Sequence, residues 1–278
     1  MSDVLESIVA STRQAVKLRR EAMPLEAVVK AGEQRLTGQE QPDIRDFRGA
    51  LAAPGLSLIA EHKRSSPSAG LIRGDLRLED VVRAYQLGGA AALSVLTEES
   101  RFSGRLADLA DARKAASLPV LRKDFIVDEY QVYESLAGGA DAILLIVAAL
   151  ERSALQQLYS LARGLGLAVL MEVHNRAELE TASTLEPEII GINNRNLKTL
   201  KVDLNTTFEL LEQLPAQTLT VSESGLAERA QLQRLADAGV DAVLIGETIM
   251  RSADLERTCR ELSGVRSAAH AASGSAAL

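Results

Sequence analysis

Five short apolar runs in this chain end in charged or amide residues that share a side with the run's own core residues. They are Leu58-Ile59-Ala60-Glu61-His62-Lys63, Val120-Leu121-Arg122-Lys123, Ala168-Val169-Leu170-Met171-Glu172, Ile189-Ile190-Gly191-Ile192-Asn193 and Leu219-Thr220-Val221-Ser222-Glu223. Length and aliphatic content make each a buried strand. Side chains alternate along a strand, so Glu61 and Lys63 share a face, and Lys123, Glu172 and Glu223 share theirs with Leu121, Leu170 and Val221. Charges are expensive to bury. Strands that repeatedly end this way predict ends gathered around a ligand. Two lysines and three carboxylates in one place shift pKa values in both directions, which suits paired acid and base work. A structural ion-pair network is the competing account. Contributions from five strands argue against it.

Such residues need a frame. The chain has 278 residues, 46% hydrophobic and 25% charged, enough for one large, well-buried α/β domain. From Leu56 the pattern strand, loop, helix repeats eight times. The expected strands are 56–62, 91–96, 119–123, 141–146, 167–172, 188–193, 218–223 and 242–246. The expected helices are 78–87, 106–116, 128–137, 151–165, 176–184, 204–214, 227–238 and 253–262. Several helices end in glycine followed by Ala or Val and a new strand, as in Gly138-Gly139-Ala140-Asp141-Ala142 and Gly239-Val240-Asp241-Ala242. That glycine is a left-handed helix stop. Eight such units predict a (β/α)8 TIM barrel over residues 49–264. An open doubly wound sheet would carry a Gly-rich fingerprint after its first strand, and none follows.

Residues 1–48 read as a helical extension, with stripes at Val4, Leu5, Ile8, Val9 and at Leu25, Val28, Val29, then a loop from Gly38 to Asp43. These stripes need burial, and the barrel mouth is the expected place. The Ala/Ser/Gly-rich segment 265–278 is expected to be a disordered tail. A net charge of −7 argues against nucleic acid or an anionic membrane as partner. The longest apolar run, Ala142 to Leu150, is too short to span a bilayer. The opening Met1-Ser2-Asp3 leads into an amphipathic stretch rather than a secretory signal. The single cysteine, Cys259, suits a reducing compartment, so a cytoplasmic location is expected.

In this fold the active site lies at the C-terminal face of the barrel, where all the charged strand ends fall. Ser224-Gly225 and Gly246-Glu247-Thr248 follow the seventh and eighth strands, the usual phosphate site of such barrels, and Ser66-Pro67-Ser68 follows the first. Each glycine alone would be explained by its turn. The pair after adjacent strands favours a phosphate. Arg195 stands just beyond the sixth strand. Phe102 and Phe125 follow the second and third, and can wall an aromatic ligand or simply pack. His62 alternates outward and reads as packing, as does Cys259 in the last helix. His174 follows the fifth strand, and His270 sits in the tail. No His, Cys or Asp spacing fits a metal. Lys17-Leu18-Arg19-Arg20 reads as a solvated helix face.

The blocks Ile59-Ala60-Glu61-His62-Lys63-Arg64-Ser65-Ser66-Pro67-Ser68, Leu121-Arg122-Lys123-Asp124-Phe125, Met171-Glu172-Val173, Gly191-Ile192-Asn193-Asn194-Arg195-Asn196-Leu197 and Ser222-Glu223-Ser224-Gly225 together resemble the indole-3-glycerol-phosphate synthase family, in register from about Leu56 to Arg251. The resemblance implies ring closure, decarboxylation and dehydration of 1-(2-carboxyphenylamino)-1-deoxyribulose 5-phosphate, in tryptophan biosynthesis. It implies Lys123 as general acid for ring closure and Glu172 as acid/base of dehydration. Lys63 would hold charged groups of the substrate and Glu61 would tune a lysine. Asn193 and Glu223 would bind hydroxyls, and Arg195 would meet the anthranilate carboxylate. Ser66, Ser224, Gly225, Gly246 and Glu247 would surround the phosphate, with Pro67, Phe102, Phe125 and Leu197 also at the substrate. It implies no metal or cofactor, a phosphorylated small molecule as partner, and a monomer or weak homo-oligomer. His62 and Ala69 depart from the family's usual apolar and basic residues at those places. The alternatives are a phosphosugar isomerase of the same fold, such as phosphoribosylanthranilate isomerase, and a silent barrel that binds a phosphorylated metabolite. The first resembles a Cys/Asp pair at strand ends, and no cysteine ends a strand here. Lys63, Lys123 and Glu172 argue against the second.

Overall fold

A computed structural model describes residues 4–37, 43–67, 69–197, 199–215 and 217–266. Eight parallel strands close into a barrel: β1 (Ser57–His62), β2 (Ala92–Leu96), β3 (Val120–Lys123), β4 (Ala142–Ile146), β5 (Ala168–Val173), β6 (Ile189–Asn193), β7 (Leu219–Glu223) and β8 (Ala242–Ile245). Each pairs with the next in sequence, and β8 returns to β1 through Ser57 opposite Ala242 and Ile59 opposite Leu244. Every strand lies within one residue of its expected position. All eight are buried on both faces, so hydrophobic content marks them more sharply than periodicity does.

Alternation divides the strand residues. Ile59, Leu121, Leu144, Leu170, Ile189, Val221 and Leu244 fill the barrel interior. Leu58, Ala60, Val95, Val120, Val243 and Ile245 face helices α4 (Leu78–Leu87), α6 (Ala107–Ala115) and α13 (Leu255–Leu262). On the far side Ile143, Leu145, Val169, Met171, Ile190 and Ile192 face α7 (Glu129–Gly138), α8 (Arg152–Gly164) and α9 (Arg176–Ser183). Helix starts are chemically marked: Asp128 caps α7, Asn175 caps α9 and Asp254 caps α13. The end of α7 is the left-handed Gly139, φ 98°, whose N–H returns to the last turn.

The N-terminal extension divides among three places. Helix α1 (Val4–Ala22) sends Val4, Leu5 and Ile8 to the barrel mouth. Helix α2 (Leu25–Thr37) lies along α7, where Val16, Val28 and Tyr130 pack together. A third helix, α3 (Phe47–Leu51), was not expected and closes the opposite end of the barrel. Phe47 and Leu51, both buried, join the interior cluster, and Ser57 Oγ donates to the Leu51 carbonyl at 3.2 Å. The basic run is more than a solvated face: Arg19 pairs with Glu134 at 2.8 Å and Arg20 with Asp128 at 2.7 Å. All of the expected loop but Asp43, and all of the expected tail but Val265 and Arg266, lie outside the described residues.

An ionic knot secures this lower end. The fully buried carboxylate of Asp141 receives Arg35 at 2.8 Å, Arg113 at 2.7 Å and the backbone N–H groups of Arg45 and Val120, each at 2.9 Å. Arg113 also binds Asp43, and Arg45 donates to the carbonyls of Ala116 and Leu118. Removing any one partner would leave part of this buried charge uncompensated, which is strongly destabilising.

Because Phe47 plugs the interior, Phe47→Ala should lower unfolding free energy by about 3–5 kcal/mol, the usual range for a fully buried ring. Denaturant titration measures this. A loss under about 1 kcal/mol would show that the segment does not close the core.

Candidate active site

At the upper end the interior residues change from aliphatic to charged. The parity that places Ile59, Leu121, Leu170, Gly191 and Val221 inside places Glu61, Lys123, Glu172, Asn193 and Glu223 two residues further along, in the layer above them. Glu61, Glu172 and Glu223 are 4%, 2% and 1% exposed. Lys123 Nζ lies 3.2 Å from Glu172 Oε2 and 3.2 Å from Glu223 Oε2. Lys63 Nζ lies 2.9 Å from Glu61 Oε1, and Ser94 Oγ donates to Glu61 Oε2 at 3.4 Å. The Asn193 side chain accepts the Arg195 N–H at 3.0 Å and bonds to Glu172.

These groups line a cavity of about 400 Å³. All sixteen site residues expected from sequence reach it: Glu61, Lys63, Ser66, Pro67, Phe102, Lys123, Phe125, Glu172, Asn193, Arg195, Leu197, Glu223, Ser224, Gly225, Gly246 and Glu247. Phe102 and Phe125 form one wall, ring centroids 6.4 Å apart. Val4, Leu5 and Ile8 of α1 line the cavity as well, as do Leu200 and Arg251. The α1 stripe thus meets the barrel mouth as its apolar spacing requires, whereas Leu200 and Arg251 carry no local signal that a distant loop reaches the cavity. Sequence reasoning missed those two, and it missed the cap by which Glu98 accepts the N–H groups of Ser100, Arg101 and Phe102 and so sets the turn carrying Phe102. Asn194 was missed as a tie. Its amide donates to the carbonyls of Glu223 at 2.9 Å and Ser224 at 3.3 Å, steadying the left-handed Ser224, φ 70°. His174 was passed over, although its place two residues after Glu172 gives it the same facing; its Nε2 lies 3.1 Å from Glu172 Oε1.

Electrostatics sorts the carboxylates. Burial pushes Glu172 up, but Lys123 and His174 outweigh it and hold the group well below the usual carboxylate range. Burial likewise raises Glu61, and Lys63 with Lys123 brings it down. For Glu223 burial wins: helped by the charge of Glu172, it carries the group up to about 7 despite Lys123. Burial pulls Lys123 down, yet the charges of Glu223, Glu172 and Glu61 raise it above the ordinary lysine value. The resting cluster thus holds an ammonium, two carboxylates and one carboxyl able to carry a proton near neutral pH.

His62 points away from the cavity, and burial pulls it down to about 4. Cys259 is buried in α13 and pushed up to about 11 by burial, far from nucleophilic use. Among the described residues no cluster of three or more His, Cys, Asp or Glu is arranged to hold a metal ion, and no helix is long and apolar enough to cross a membrane.

A closed eight-stranded barrel with lysines and carboxylates collected on its C-terminal rim defines a (β/α)8-barrel enzyme. The family model described as indole-3-glycerol phosphate synthase matches residues 5–262. The chain belongs to the indole-3-glycerol phosphate synthase family. A protein of that name from Burkholderia vietnamiensis (strain G4 / LMG 22486) is 47% identical over 256 residues, 91% of this chain and 95% of the relative. Another from Variovorax paradoxus (strain S110) is 47% identical over 260 residues, 91% of this chain and 96% of the relative. Among solved structures, 3-hexulose-6-phosphate synthase from Salmonella typhimurium aligns with TM-score 0.60 at 14% identity, over 75% of this chain and 97% of that one. A mutant tryptophan synthase alpha-subunit from a hyperthermophile, Pyrococcus furiosus, aligns with TM-score 0.59 at 14% identity, over 76% of this chain and 99% of that one. At such identities these two show the fold alone.

The raised Glu223 has a signed consequence. Unfolded, its carboxyl ionises near 4.5; folded, near about 7. Between those values the folded state binds the extra proton, so the group's contribution to stability is full below 4.5 and is lost as pH rises through 7. Glu223→Gln should therefore gain melting temperature relative to the native protein between pH 5 and pH 8. Calorimetry at the two pH values checks it. A relative loss over that range would place the proton elsewhere.

Proposed function

We propose that this protein converts 1-(2-carboxyphenylamino)-1-deoxyribulose 5-phosphate into indole-3-glycerol phosphate, carbon dioxide and water, in tryptophan biosynthesis. One observation carries the reading: Lys123 stands 3.2 Å from each of two carboxyl groups of opposite electrostatic bias, beside an apolar wall. The family membership supplies the substrate.

The chemistry divides among the charged groups. Ring closure joins an anthranilate ring carbon to the ketone carbon, whose oxygen must take a proton. Lys123, held as an ammonium by three carboxylates, suits that donation. Carbon dioxide then leaves from the ring carbon that formed the new bond, and the electron pair of the broken carbon–carboxylate bond restores the aromatic ring. Dehydration next removes a hydroxyl as water and a proton from the adjoining carbon. The ionised Glu172 suits the proton removal, and Glu223, near 7, suits delivery of a proton to the hydroxyl. This refines the expectation that one carboxyl, Glu172, performs both halves of dehydration. Lys63 and Arg195 would meet the substrate carboxylate and hydroxyls, and Asn193 would hold Glu172 in line. The aromatic ring would lie against Phe102, Phe125 and Leu197. Its phosphate would sit by Ser66, Ser224, Gly225, Gly246 and Glu247, bound through backbone N–H groups and hydroxyls. A cytoplasmic location fits the single cysteine.

The test is appearance of indole fluorescence from the carboxyphenylamino substrate, with no metal or cofactor added. Lys123→Met and Glu172→Gln should each lower kcat at least about 100-fold while the fold survives. They should differ in kind. Lys123→Met stalls before carbon dioxide is released, and Glu172→Gln mainly after it. Single-turnover comparison of carbon dioxide with indole product separates them. Near-normal carbon dioxide release by Lys123→Met would remove that lysine from ring closure.

A further inference from the structure

Glu172 does not stand alone at the end of β5. The alternation that aims it into the barrel aims His174 beside it. His174 Nε2 lies 3.1 Å from Glu172 Oε1, while Nδ1 lies 2.9 Å from Glu178 Oε2. The second oxygen of Glu172, Oε2, is the one 3.2 Å from Lys123 Nζ. Glu178 is itself fixed at the start of α9. Its Oε2 accepts the His174 N–H at 2.8 Å and its Oε1 accepts the Asn175 amide at 2.6 Å. Its own N–H donates to the capping Asn175 Oδ1 at 3.1 Å. The ring is 7% exposed.

A neutral imidazole carries one donor and one acceptor, whereas an imidazolium carries two donors. Nδ1 has a hydrogen-bond contact with Glu178, and Nε2 faces Glu172 Oε1 as an ion-pair contact rather than a well-directed hydrogen bond, so an imidazolium opposes no lone pair to either carboxylate. The surroundings favour it. Burial pulls His174 down, but Glu172 and Glu178 together raise it to about 10. Glu172 on β5 and Glu178 on α9 are the charged groups that face the ring. The 3-10 turn Val147–Ala149, packed against both elements, has no ionisable side chain. Lys123 on β3 and Asn193 on β6 reach Glu172 itself.

We propose that His174 is a positioning residue for the reaction: anchored by Glu178, it holds one oxygen of Glu172 so that the other faces Lys123 and the reacting carbons. The proposal rests on Glu172 acting on the substrate, as argued above. His174 transfers no proton. It acts by fixing a rotamer and by supplying a positive charge that stays in place when Lys123 gives its proton to the substrate. Without it, Glu172 would gain freedom at the moment its other partner loses charge.

Two variants and one spectrum test this. His174→Gln should lower kcat about 10-fold or more, the order of effect when an outer partner of a functional group is lost, with KM nearly unchanged. The acid limb of its kcat profile should move to higher pH, because Glu172 has lost a cation. Glu178→Gln leaves the ring in place but removes one of its anions. Its alkaline limb should move to lower pH as the imidazolium loses its proton earlier. Independently of activity, nitrogen NMR of the three histidines, with His174 identified by its absence from His174→Gln or by its shift in Glu178→Gln, should show an imidazolium at pH 8. A neutral His174 at pH 7 overturns the proposal, as does a His174→Gln variant with native kcat and pH profile per folded molecule. Failure of the native protein to form indole product would instead overturn the assigned function, and the spectrum would still decide the clamp.

Discussion

Everything at the upper face depends on one constraint: a buried lysine must keep its proton. A lone ammonium at the position of Lys123 would be neutralised by burial. Here Glu172, Glu223 and Glu61 supply enough negative charge to reverse that. The same three carboxylates over-supply it, since Lys63 and Lys123 balance two of them. Burial, reinforced by the charge of Glu172, carries Glu223 up to about 7, so this carboxyl can take up the surplus as a proton. Among the described residues neither of its oxygens accepts a well-directed hydrogen bond, although Lys123 Nζ is 3.2 Å away. A buried acceptor left in that condition marks a group held ready for a ligand more than one serving the fold. The barrel supplies the rigidity that keeps the arrangement from relaxing.

The two ends of the barrel show opposite solutions to burying charge. At the lower end Asp141 is saturated by two guanidiniums and two backbone N–H groups, and it ties α2, α6 and the 43–45 segment to the start of β3. Between the ends runs a third ionic arrangement. Arg122, 1% exposed, points outward from β3 and lies 2.9 Å from Asp124 and 2.9 Å from Glu134, which in turn meets Arg19 of α1. Lys123 thus sits between two residues locked on the outer face, and that lock extends to the helix that closes the mouth. Removing one partner from such a chain exposes the rest to uncompensated burial. One chain of ion pairs therefore touches both α1, through Arg19, and the neighbours of Lys123 in sequence, Arg122 and Asp124.

The barrel was legible in the sequence because each strand is short, aliphatic and followed by a helix with a marked start or stop. The charged layer was legible for a different reason. Parity within a strand is local, so Lys123 after Leu121 and Glu172 after Leu170 announce their facing without any tertiary information. What stayed hidden was non-local. Phe47 looks like any apolar residue before a barrel, and only the closed interior shows that it is a plug. Arg19 and Arg20 look solvated until Glu134 and Asp128 on a distant helix are brought beside them. His174 is the exception, since parity alone places it with Glu172. Its role was invisible because a histidine after a strand has many uses, and the anchoring Glu178 belongs to a helix cap.

Two glycines make room for the charged layer. Gly246 stands out in sequence as a phosphate-loop residue after the eighth strand. Yet a Cβ at that position would lie 2.6 Å from Glu61 Oε1 and 3.0 Å from its Cβ. Gly191 drew no notice within the sixth strand, and a Cβ there would lie 2.3 Å from Glu223 Oε1. Both occupy inward positions, so each withholds a side chain where a neighbouring strand sends a carboxylate. A barrel of eight strands has room for a fixed number of side chains in each layer. Crowding three glutamates and a lysine into the top layer therefore requires empty places beside them. The glycines belong to the electrostatics as much as the charged residues do: they let carboxylates stay folded inward, near Lys123, at the distance where their charges can hold its proton.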